Sequence, residues 1–589
     1  MALLPAVGRR SPKGRLFIAL LYLVLSLGAV TTVYPFLVML GDSVASEFDQ
    51  DQNRVIPTYL TSATALFGKY ADDKYNGDIN LIGGAYNANY AKFQSVTPPR
   101  SEPGDSRQVA AWRKFFAALP PDYRTVGFLG TAGQYAPAPL VDTYRHWLRA
   151  RFHENIHALD QAYTEEDSNF LTVYPPTERP LQRLYRPGAS AKQQDWAAFK
   201  ATLPLPDYVP VLADPLYQGY LRDQLYAGKI GGLNSAWGTK FTDWTQVMLP
   251  PTLPTQPGQA RDWTQFIRTK MPLHFLKLAP AANTSWEAFL ANRKLAPAPL
   301  PTPGALPVGV ALQAYSDFIR QIDPHLVTAI NTENLWRADQ HQANATLPLA
   351  QDDWAYVQAH AGPLRRGFLA RNYLFALNYL LLHGRGVLNT VIYCGGAVLV
   401  ALIVNPLCAY ALSRFRLPWA SSVLLFLLAT MAFPAEVALI PNFLLLKQLG
   451  LLNTFWALIL PGAASGFSIF LLKGFFDSLP KELYEAGMLD GAGEATLFRN
   501  VTFPLARPIF AVIALQTFTA AYGAFIFAMV VCQAQSHWTM MVWIYQFQAL
   551  GAPQFVMMAA LVLAALPTLI VFLFAQNVIM KGIILPSFK

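Results

Sequence analysis

Cysteine and charge are both scarce in this sequence. Only 3 of its 589 residues are cysteines, and none of them lies between residues 42 and 385. This absence excludes a disulfide framework for that long segment, which must be held together by its own core. The chain also lacks a GxxxxGK[ST] loop, so it is not itself a P-loop ATPase. Charged residues make up 14% of the chain and hydrophobic residues 53%, which is too apolar for an ordinary soluble protein.

The basic residues are not gathered into a patch that would bind nucleic acid. The formal net charge is +9, and many lysines and arginines flank long apolar runs. The positive-inside rule describes this distribution for membrane proteins. We therefore expect membrane lipid as a partner and no nucleic acid.

The apolar residues are concentrated in six runs, and a bilayer span takes roughly 20 residues. The runs are 16–40, 388–412, 421–446, 456–476, 509–532 and 555–580. The first run is longer than the apolar region of a usual signal peptide, so we expect a retained anchor. The sequence predicts an all-α polytopic membrane protein with six transmembrane helices, plus a mostly helical, repeat-containing soluble insert.

Lysine and arginine orient the predicted spans. Basic residues before the first run place the N-terminus in the cytoplasm: Arg9, Arg10, Lys13 and Arg15. The basic loop 413–416 and the C-terminal lysines then fall on the same side. We expect a first part, 1–41, with the cytoplasmic N-terminus and first span. An extracytoplasmic insert, 42–385, and a five-helix core, 386–589, follow it.

A polar stretch separates the fourth and fifth runs, with the sequence DSLPKELYEAGMLDGAGEATLFRNVTFPLARP (477–508). Orientation places it in the cytoplasm. Pro480 suits the first turn of a helix over 481–489, and Asp477 or Ser478 is its expected cap. A second helix carrying an apolar face is predicted to follow.

The first helix of this loop has small residues on one face, Ala486 and Gly487, which would let another surface approach its backbone. Gly491 supplies the positive φ that ends the helix. Pro504 and Pro508 mark a bend into the fifth span. The residues alone leave two interpretations open, a surface for a partner and an ordinary loop that lies on the lipid headgroups.

The loop resembles the EAA loop of binding-protein-dependent ABC importer permeases. The resemblance rests on three short motifs: Glu485-Ala486-Gly487, Asp490-Gly491-Ala492 and Phe503-Pro504-Leu505. The wider match is to the carbohydrate, maltose-type branch of that family, and it includes YPFLVMLGDS (34–43), LNTVIYCG (388–395), AYALSRFRLP (409–418), 429–461 and 470–492. Two departures are Gly487, where the family usually has alanine, and the final GIILPSFK, which differs from the family's glycine-rich tail.

The resemblance implies a permease subunit of an ATP-driven importer in the bacterial inner membrane. Its partners would be an ABC ATPase dimer, a second permease subunit and an extracytoplasmic solute-binding protein that delivers a carbohydrate. The residues implied in ATPase coupling are Glu485, Ala486, Gly487, Asp490, Gly491, Ala492 and Pro504. The chain would be no enzyme and bind no cofactor, because the partner ATPase uses the ATP.

The insert is far longer than the loop that such permeases usually have between their first two spans. It contains a weak repeat at 74–99, 151–176, 225–251 and 322–348, and each copy is followed by a tryptophan-containing helix start. The tryptophans are interpreted as core residues or, if exposed, as platforms for sugar rings, which would make the insert a glycan-binding module. As a permease part, the insert would embrace the binding protein or hold the two permeases together.

One segment of the insert, His153-Glu154-Asn155-Ile156-His157, fits the HExxH pattern. On a helix, His153 and His157 would face one way and ligate zinc, with Glu154 as the base of a membrane-anchored zinc peptidase. Possible third ligands are Glu165, Glu166 and Glu178. The repeat places the same frame at 76–80 and 227–231 without ligands, which favours a packing role and no metal.

No substrate residue can be assigned from the sequence. Several polar side chains lie in or beside the predicted spans: Asn405, Asn442, Gln516, Gln533 and Gln576. Each is a candidate for the transport pathway or for a hydrogen bond between helices.

Overall fold

The computed structural model describes residues 12–582, apart from 50–51, 53, 101, 103, 127–137, 168, 171, 187, 383–384, 416 and 431–433. Part of the basic sequence used for orientation, Arg9, Arg10, Arg416 and Lys589, lies outside the described residues. The chain divides into two compact units. We call Met1–Val44 with Leu369–Lys589 the membrane unit, and Ala45–Phe368 the insert unit.

The chain begins with one long apolar helix and continues into an array of short helices. The first helix is α1 (Pro12–Asp42). The helices of the insert unit are α2 (Thr58–Thr61), α3 (Ala63–Lys74), α4 (Ile79–Tyr86), α5 (Asp105–Ala118), α6 (Pro139–Arg151), α7 (Ile156–Tyr163), α8 (Ala191–Lys200), α9 (Asp214–Tyr220), α10 (Ile230–Trp237), α11 (Pro257–Thr269), α12 (Ala282–Asn292), α13 (Val310–Gln321) and α14 (Thr332–Asp339). A further helix, α15 (Leu349–Leu382), contains the boundary between the units and has non-helical backbone at His360.

Short antiparallel strand pairs tie the helices of the insert unit together. The strands are β1 (Arg124–Thr125), β2 (Val209–Pro210), β3 (Leu276–Leu278) and β4 (Val327–Ala329). β1 pairs with β2, and β3 pairs with β4 with Leu276 opposite Ala329. Each strand follows a one-turn 3₁₀ segment after a helix, so helix, 3₁₀ turn and strand form a recurring unit.

A second recurring feature is a tight turn between two helices. It occurs at 76–77, 153–154 and 227–228, and both residues of each turn have positive φ. The turns join α3 to α4, α6 to α7 and, after a π-helical segment, α9 to α10. The fourth predicted copy differs, because β4 directly precedes α14 there.

The tryptophans of the predicted helix starts lie in the protein core. Trp112, Trp196 and Trp263 are buried, and Trp354 is half-buried. The indole N–H of Trp263 donates to the carbonyl of Pro250 over 2.9 Å. The core interpretation is confirmed for the three buried tryptophans, which offer no exposed ring to a sugar.

The membrane unit continues after α15 with further helices, most of them apolar. They are α16 (Gly386–Arg414), α17 (Ala420–Thr430), α18 (Ala435–Gln448), α19 (Phe455–Ile459), α20 (Gly466–Asp477), α21 (Lys481–Leu489), α22 (Glu494–Leu497), α23 (Phe503–Leu505), α24 (Arg507–Gly523), α25 (Phe525–Val531), α26 (Met540–Ala549) and α27 (Gln554–Gly582). This helical, polytopic architecture is the predicted fold class.

Within the described residues, three helices are long and apolar enough to cross a membrane: Gly14–Asp42, Gly386–Arg414 and Gln554–Gln576. Two bent pairs raise the number to five if each is one span, namely Phe455–Gly462 with Gly466–Asp477, and Glu494–Leu505 with Arg507–Gly523. The predicted span 421–446 corresponds to two shorter helices, α17 and α18. The count of six therefore stays a prediction.

Candidate functional site

The predicted loop helix is present with the predicted bounds, Lys481–Leu489. Pro480 is its N-cap and no side chain caps it, so the expected cap at Asp477 or Ser478 was wrong; these residues end α20 instead. One residue anchors the helix to the rest of the membrane unit: Tyr484 is buried, and its hydroxyl lies 2.9 Å from the Thr502 hydroxyl. Burial raises the pKa of Tyr484, so its hydroxyl keeps its proton.

A cation and a second tyrosine complete this anchor. The guanidinium of Arg414, at the end of α16, lies 4.0 Å from the centroid of the Tyr484 ring. Such a cation–π contact is favourable, by about 0.5–2 kcal/mol. Tyr410 donates its hydroxyl to Glu494 over 2.5 Å. The loop is thereby tied to α16 at two points, one on each side of its turn.

The turn itself is a Schellman motif. Gly491 has φ of +80°, and its N–H donates to Met488 O, while the N–H of Ala492 donates to Gly487 O, both over 3.0 Å. This pattern satisfies the last carbonyls of a helix and requires a left-handed residue, which glycine adopts without steric cost. The predicted role of Gly491 in ending the helix is confirmed.

Gly487 faces another part of the same loop. A Cβ added there would lie 2.5 Å from Cδ2 of Leu497, which is buried. The missing side chain therefore makes room for Leu497, and α21 packs closely against the returning helix. This is a use of Gly487 that the sequence did not predict.

The outer side of α21 is exposed and partly apolar. Leu489 is 89% exposed, and Leu483 and Met488 are also exposed. Glu485 and Ala486 lie on the exposed part of the same helix. A short helix that carries an acid, a small residue and large exposed apolar side chains has the composition of a docking surface. The sequence signal that could have identified Leu489 as a functional candidate is a large apolar residue directly before Asp490-Gly491, at the end of a helix in a polar stretch.

After α22 the loop continues through a π-helical turn, Phe498–Thr502, toward α24. Pro504 follows it and has no N–H to donate, and such a widened turn accommodates the lost hydrogen bond. The helix then bends by 79° between Leu505 and Arg507. The predicted bend into the next span is confirmed.

The polar residues of the predicted spans differ in burial. Asn405 is buried, its Nδ2 donates to Ala401 O over 2.8 Å, and its Oδ1 accepts from the N–H of Ser465 over 2.8 Å. Asn405 thus holds the break between α19 and α20, where the chain bends by 49°. Gln516, Gln533 and Gln576 are exposed.

The HExxH segment does not form the helix that the zinc peptidase alternative requires. α6 ends at Arg151, and His153 and Glu154 have φ of +51° and +58°. The side chain of Asn155 then caps α7, and His157 lies in the first turn of that helix. His153 therefore lies in the turn itself and His157 in the helix that follows, so the two histidines do not share a helix face. Among the described residues, no group of three His, Cys, Asp or Glu side chains could hold a metal ion.

Comparison with known proteins places the membrane unit in a transport family. The family described as "Binding-protein-dependent transport system inner membrane component" matches residues 397–584. The diacetylchitobiose uptake system permease protein NgcG of Streptomyces coelicolor is 32% identical over 211 residues, which cover 35% of this chain and 70% of NgcG.

Two Bacillus subtilis proteins are also similar. The polygalacturonan/rhamnogalacturonan transport system permease protein YtcP is 32% identical over 206 residues, covering 32% of this chain and 71% of YtcP. The maltodextrin transport system permease protein MdxG is 30% identical over 199 residues, covering 33% of this chain and 72% of MdxG. With its loop, its bent spans and these relatives, the chain belongs to the binding-protein-dependent transport system inner membrane components and is a permease subunit of an ABC importer.

Proposed function

We propose that this permease imports a carbohydrate and that α21 is the element through which a separate ATPase drives it. NgcG is named for uptake of diacetylchitobiose, YtcP for transport of polygalacturonan/rhamnogalacturonan, and MdxG for transport of maltodextrin. These substrates share the chemistry of sugar rings, which supports a carbohydrate. The individual sugar is left unassigned.

The single observation that carries the coupling proposal is the contrast between the two sides of α21. Its inner side is fixed by buried Tyr484, and its outer side exposes Leu489 and Glu485. An exposed apolar residue gains about 25 cal/mol for each Å² that a partner covers. A carboxylate at the same surface adds a charge-assisted hydrogen bond to a basic partner residue. We therefore assign docking in an ATPase cleft to the outer side.

Motion of the docked helix would reach the spans through the contacts of its inner side. Tyr484 connects α21 to α16 through Arg414, and Leu497 connects it to the returning helix. That helix continues through the bend at Leu505 into α24. Closure of an ATP-bound ATPase pair would then move α21 and these helices as one body. Asp490, Gly491, Ala492 and Pro504 shape the loop in this mechanism.

The remaining partners and the orientation are part of the same proposal. The N- and C-termini would be cytoplasmic and residues 42–385 extracytoplasmic, where the insert could contact a solute-binding protein or a second permease. ATP would be bound by the ATPase dimer, with no cofactor on this chain. The matching family is described as an inner membrane component, which supports a location in the inner membrane.

The experiment is a charge reversal at the proposed contact. We expect Glu485→Lys to abolish co-purification of the ATPase in mild detergent and uptake of the transported sugar, because it places a cation against a basic cleft. Glu287→Lys, a charge reversal at another exposed glutamate, in α12, is the matched control. Normal ATPase recovery and uptake by the Glu485 variant would overturn the coupling assignment.

A further inference from the structure

One cavity of the insert unit has no part in the proposed coupling mechanism. Its volume is about 60 Å³, and its lining comes from α3, α5, α15 and residues 205–210, which end with β2. The residues that line it include three tyrosines, Tyr70, Tyr208 and Tyr356. Tyr70 and Tyr356 stack on each other with ring centroids 5.3 Å apart. Four separate segments therefore converge on one aromatic enclosure.

Two ion pairs line the same cavity, and in each pair the two charges cancel. Nζ of Lys74 lies 2.5 Å from Oδ1 of Asp353, and Nε of Arg113 lies 2.6 Å from Oδ1 of Asp352. Two acids and two bases give the lining no net charge. A free ion would compete with a pair that is already made, so the lining favours a neutral ligand that both donates and accepts hydrogen bonds.

Several polar groups of the cavity still have hydrogen-bonding capacity. Tyr70 is 8% exposed, and its hydroxyl makes no hydrogen bond to the described residues, whereas the hydroxyls of Tyr75 and Tyr86 both donate to Asp353. Burial, and then the charge of Asp353, raise the pKa of Tyr70, so the hydroxyl remains a donor. The pair of Arg113 with Asp352 uses Nε and Oδ1, which leaves the terminal guanidinium nitrogens and Oδ2 for a ligand.

We propose that this cavity is a sugar-binding site of the insert, in which one ring of a neutral carbohydrate contacts the aromatic walls. The apolar C–H faces of a pyranose fit against aromatic rings, and its hydroxyls match a mixture of donors and acceptors. A volume of 60 Å³ corresponds to roughly four water molecules at about 15 Å³ each, so the cavity takes the edge of one ring. The choice of a sugar rests on the proposed carbohydrate import, whereas the site itself is separate from the membrane spans.

The test measures hydrogen–deuterium exchange of the full-length chain in detergent. The neutral probes are glucose, galactose and N-acetylglucosamine, and the charged probes are galacturonate and choline. We expect at least one neutral sugar to slow exchange in α3 and at the start of α15. Tyr70→Phe should weaken this binding by about two- to tenfold, the range of one lost hydrogen bond.

A matched variant separates the cavity from general effects on the fold. The hydroxyl of Tyr217 is buried and has no hydrogen-bond partner among the described residues, and Tyr217 does not line the cavity. Tyr217→Phe should therefore leave sugar binding unchanged. No protection by any neutral sugar, protection by galacturonate or choline alone, or equal effects of the two variants would overturn the proposal.

Uptake measured in cells carrying the complete transporter distinguishes this site from the proposed function. Sugar uptake without protection at the cavity overturns the site and leaves carbohydrate import in place. Protection without uptake of any sugar supports the site and counts against carbohydrate import.

Discussion

The two units of this protein bury different polar residues. Among the described residues of the membrane unit, Asp42 at the end of α1 is the one buried carboxylate, and the other buried polar residues are uncharged: Ser43, Asn372, Asn389, Thr390, Asn405, Ser468, Thr502 and Thr539. The insert unit buries many ionisable side chains: Asp49, Lys69, Asp72, Arg145, Asp195, Asp214, Asp262, His274, Glu333, Arg337 and Asp353. Charges buried in a protein need partners, and a lipid environment supplies no water to replace them.

The difference shows how each unit holds its irregular segments. In the membrane unit, Asn405 and the Tyr484–Thr502 pair fix a bend and a loop through neutral hydrogen bonds. In the insert unit, Arg337 and Asp214 form a buried ion pair with Glu333 beside them. We therefore expect the insert unit to respond to pH and to charge changes, and the membrane unit to respond to lost hydrogen bonds.

The largest effect is expected from Arg337→Met. Arg337 is the cation of a buried ion pair with Asp214, and its removal leaves the Asp214 carboxylate as an uncompensated charge. We expect a loss of about 3–5 kcal/mol in the stability of the insert unit. Protease resistance and hydrogen exchange of α9 and α14 in the full-length chain measure this loss. Arg320→Met, at an exposed arginine, is the control and should change little.

A pH dependence should follow from Glu333. Burial, and then the charge of Asp214, raise the pKa of Glu333 from 4.5 to about 8. The folded state therefore keeps a proton that the unfolded chain releases, and stability falls as pH rises from 4.5 to 8. The slope contributed by one group in this window is roughly 1.4 kcal/mol per pH unit.

Glu333→Gln tests whether Glu333 causes this pH dependence, because the amide resembles the protonated acid and does not titrate. Unfolding of the insert unit followed between pH 5 and 8 should be flatter in this variant than in the parent. Glu287→Gln, at an exposed acid, should keep the parent slope. An unchanged slope in the Glu333 variant would contradict the assignment.

A smaller effect is expected in the membrane unit from Asn405→Leu. The substitution leaves the N–H of Ser465 without its 2.8 Å acceptor at the break between α19 and α20. An unsatisfied buried group costs about 1–3 kcal/mol. Thermal unfolding in detergent should show this loss, compared with Asn442→Leu at a half-buried position. Equal changes in the two variants would sink the proposed role of Asn405.

The smallest effects on stability are expected from alanine substitutions of the two loop glycines, Gly487 and Gly491. Gly491→Ala places a Cβ at φ of +80°, which costs about 1–2 kcal/mol. In Gly487→Ala the new Cβ meets the end of the Leu497 side chain, which can shift. The gain in helix propensity, about 1 kcal/mol, offsets that contact. Hydrogen exchange of α21 should thus rise in the first variant only, and the opposite order would contradict this account.

The sequence predicted the loop better than the spans around it. The bounds of α21, the turn at Gly491 and the bend after Pro504 all depend on local chemistry of glycine, proline and helix ends. The break near Ser465 depends on Asn405, which is far away in the sequence, so a count of apolar residues reads 456–476 as one straight span. Tyr484 was missed as the anchor because its partner Thr502 lies across the loop.

The HExxH segment shows why a motif requires its structural context. The turn at 153–154 occupies the same place as Asn76-Gly77 and Ala227-Gly228, where glycine marks a left-handed residue. The alignment of these repeats contained that signal, since glycine occurs in two of the three copies. In the third copy this place holds histidine and glutamate, and their pattern is also that of a zinc-binding helix, so the turn was not recognised.

The most direct test of the central claim is cysteine cross-linking from the exposed end of α21. The native Cys394 and Cys532 are buried and Cys408 is half-buried, so Leu489→Cys is made together with Cys408→Ser and introduces an accessible thiol at a position that is 89% exposed. Glu287→Cys in the insert unit is the matched exposed control. If α21 docks on the ATPase, a short thiol–amine cross-linker will join the Leu489 variant to an ATPase subunit and leave the Glu287 variant unjoined. Cross-linking to the ATPase from Glu287 and none from Leu489 would contradict the account.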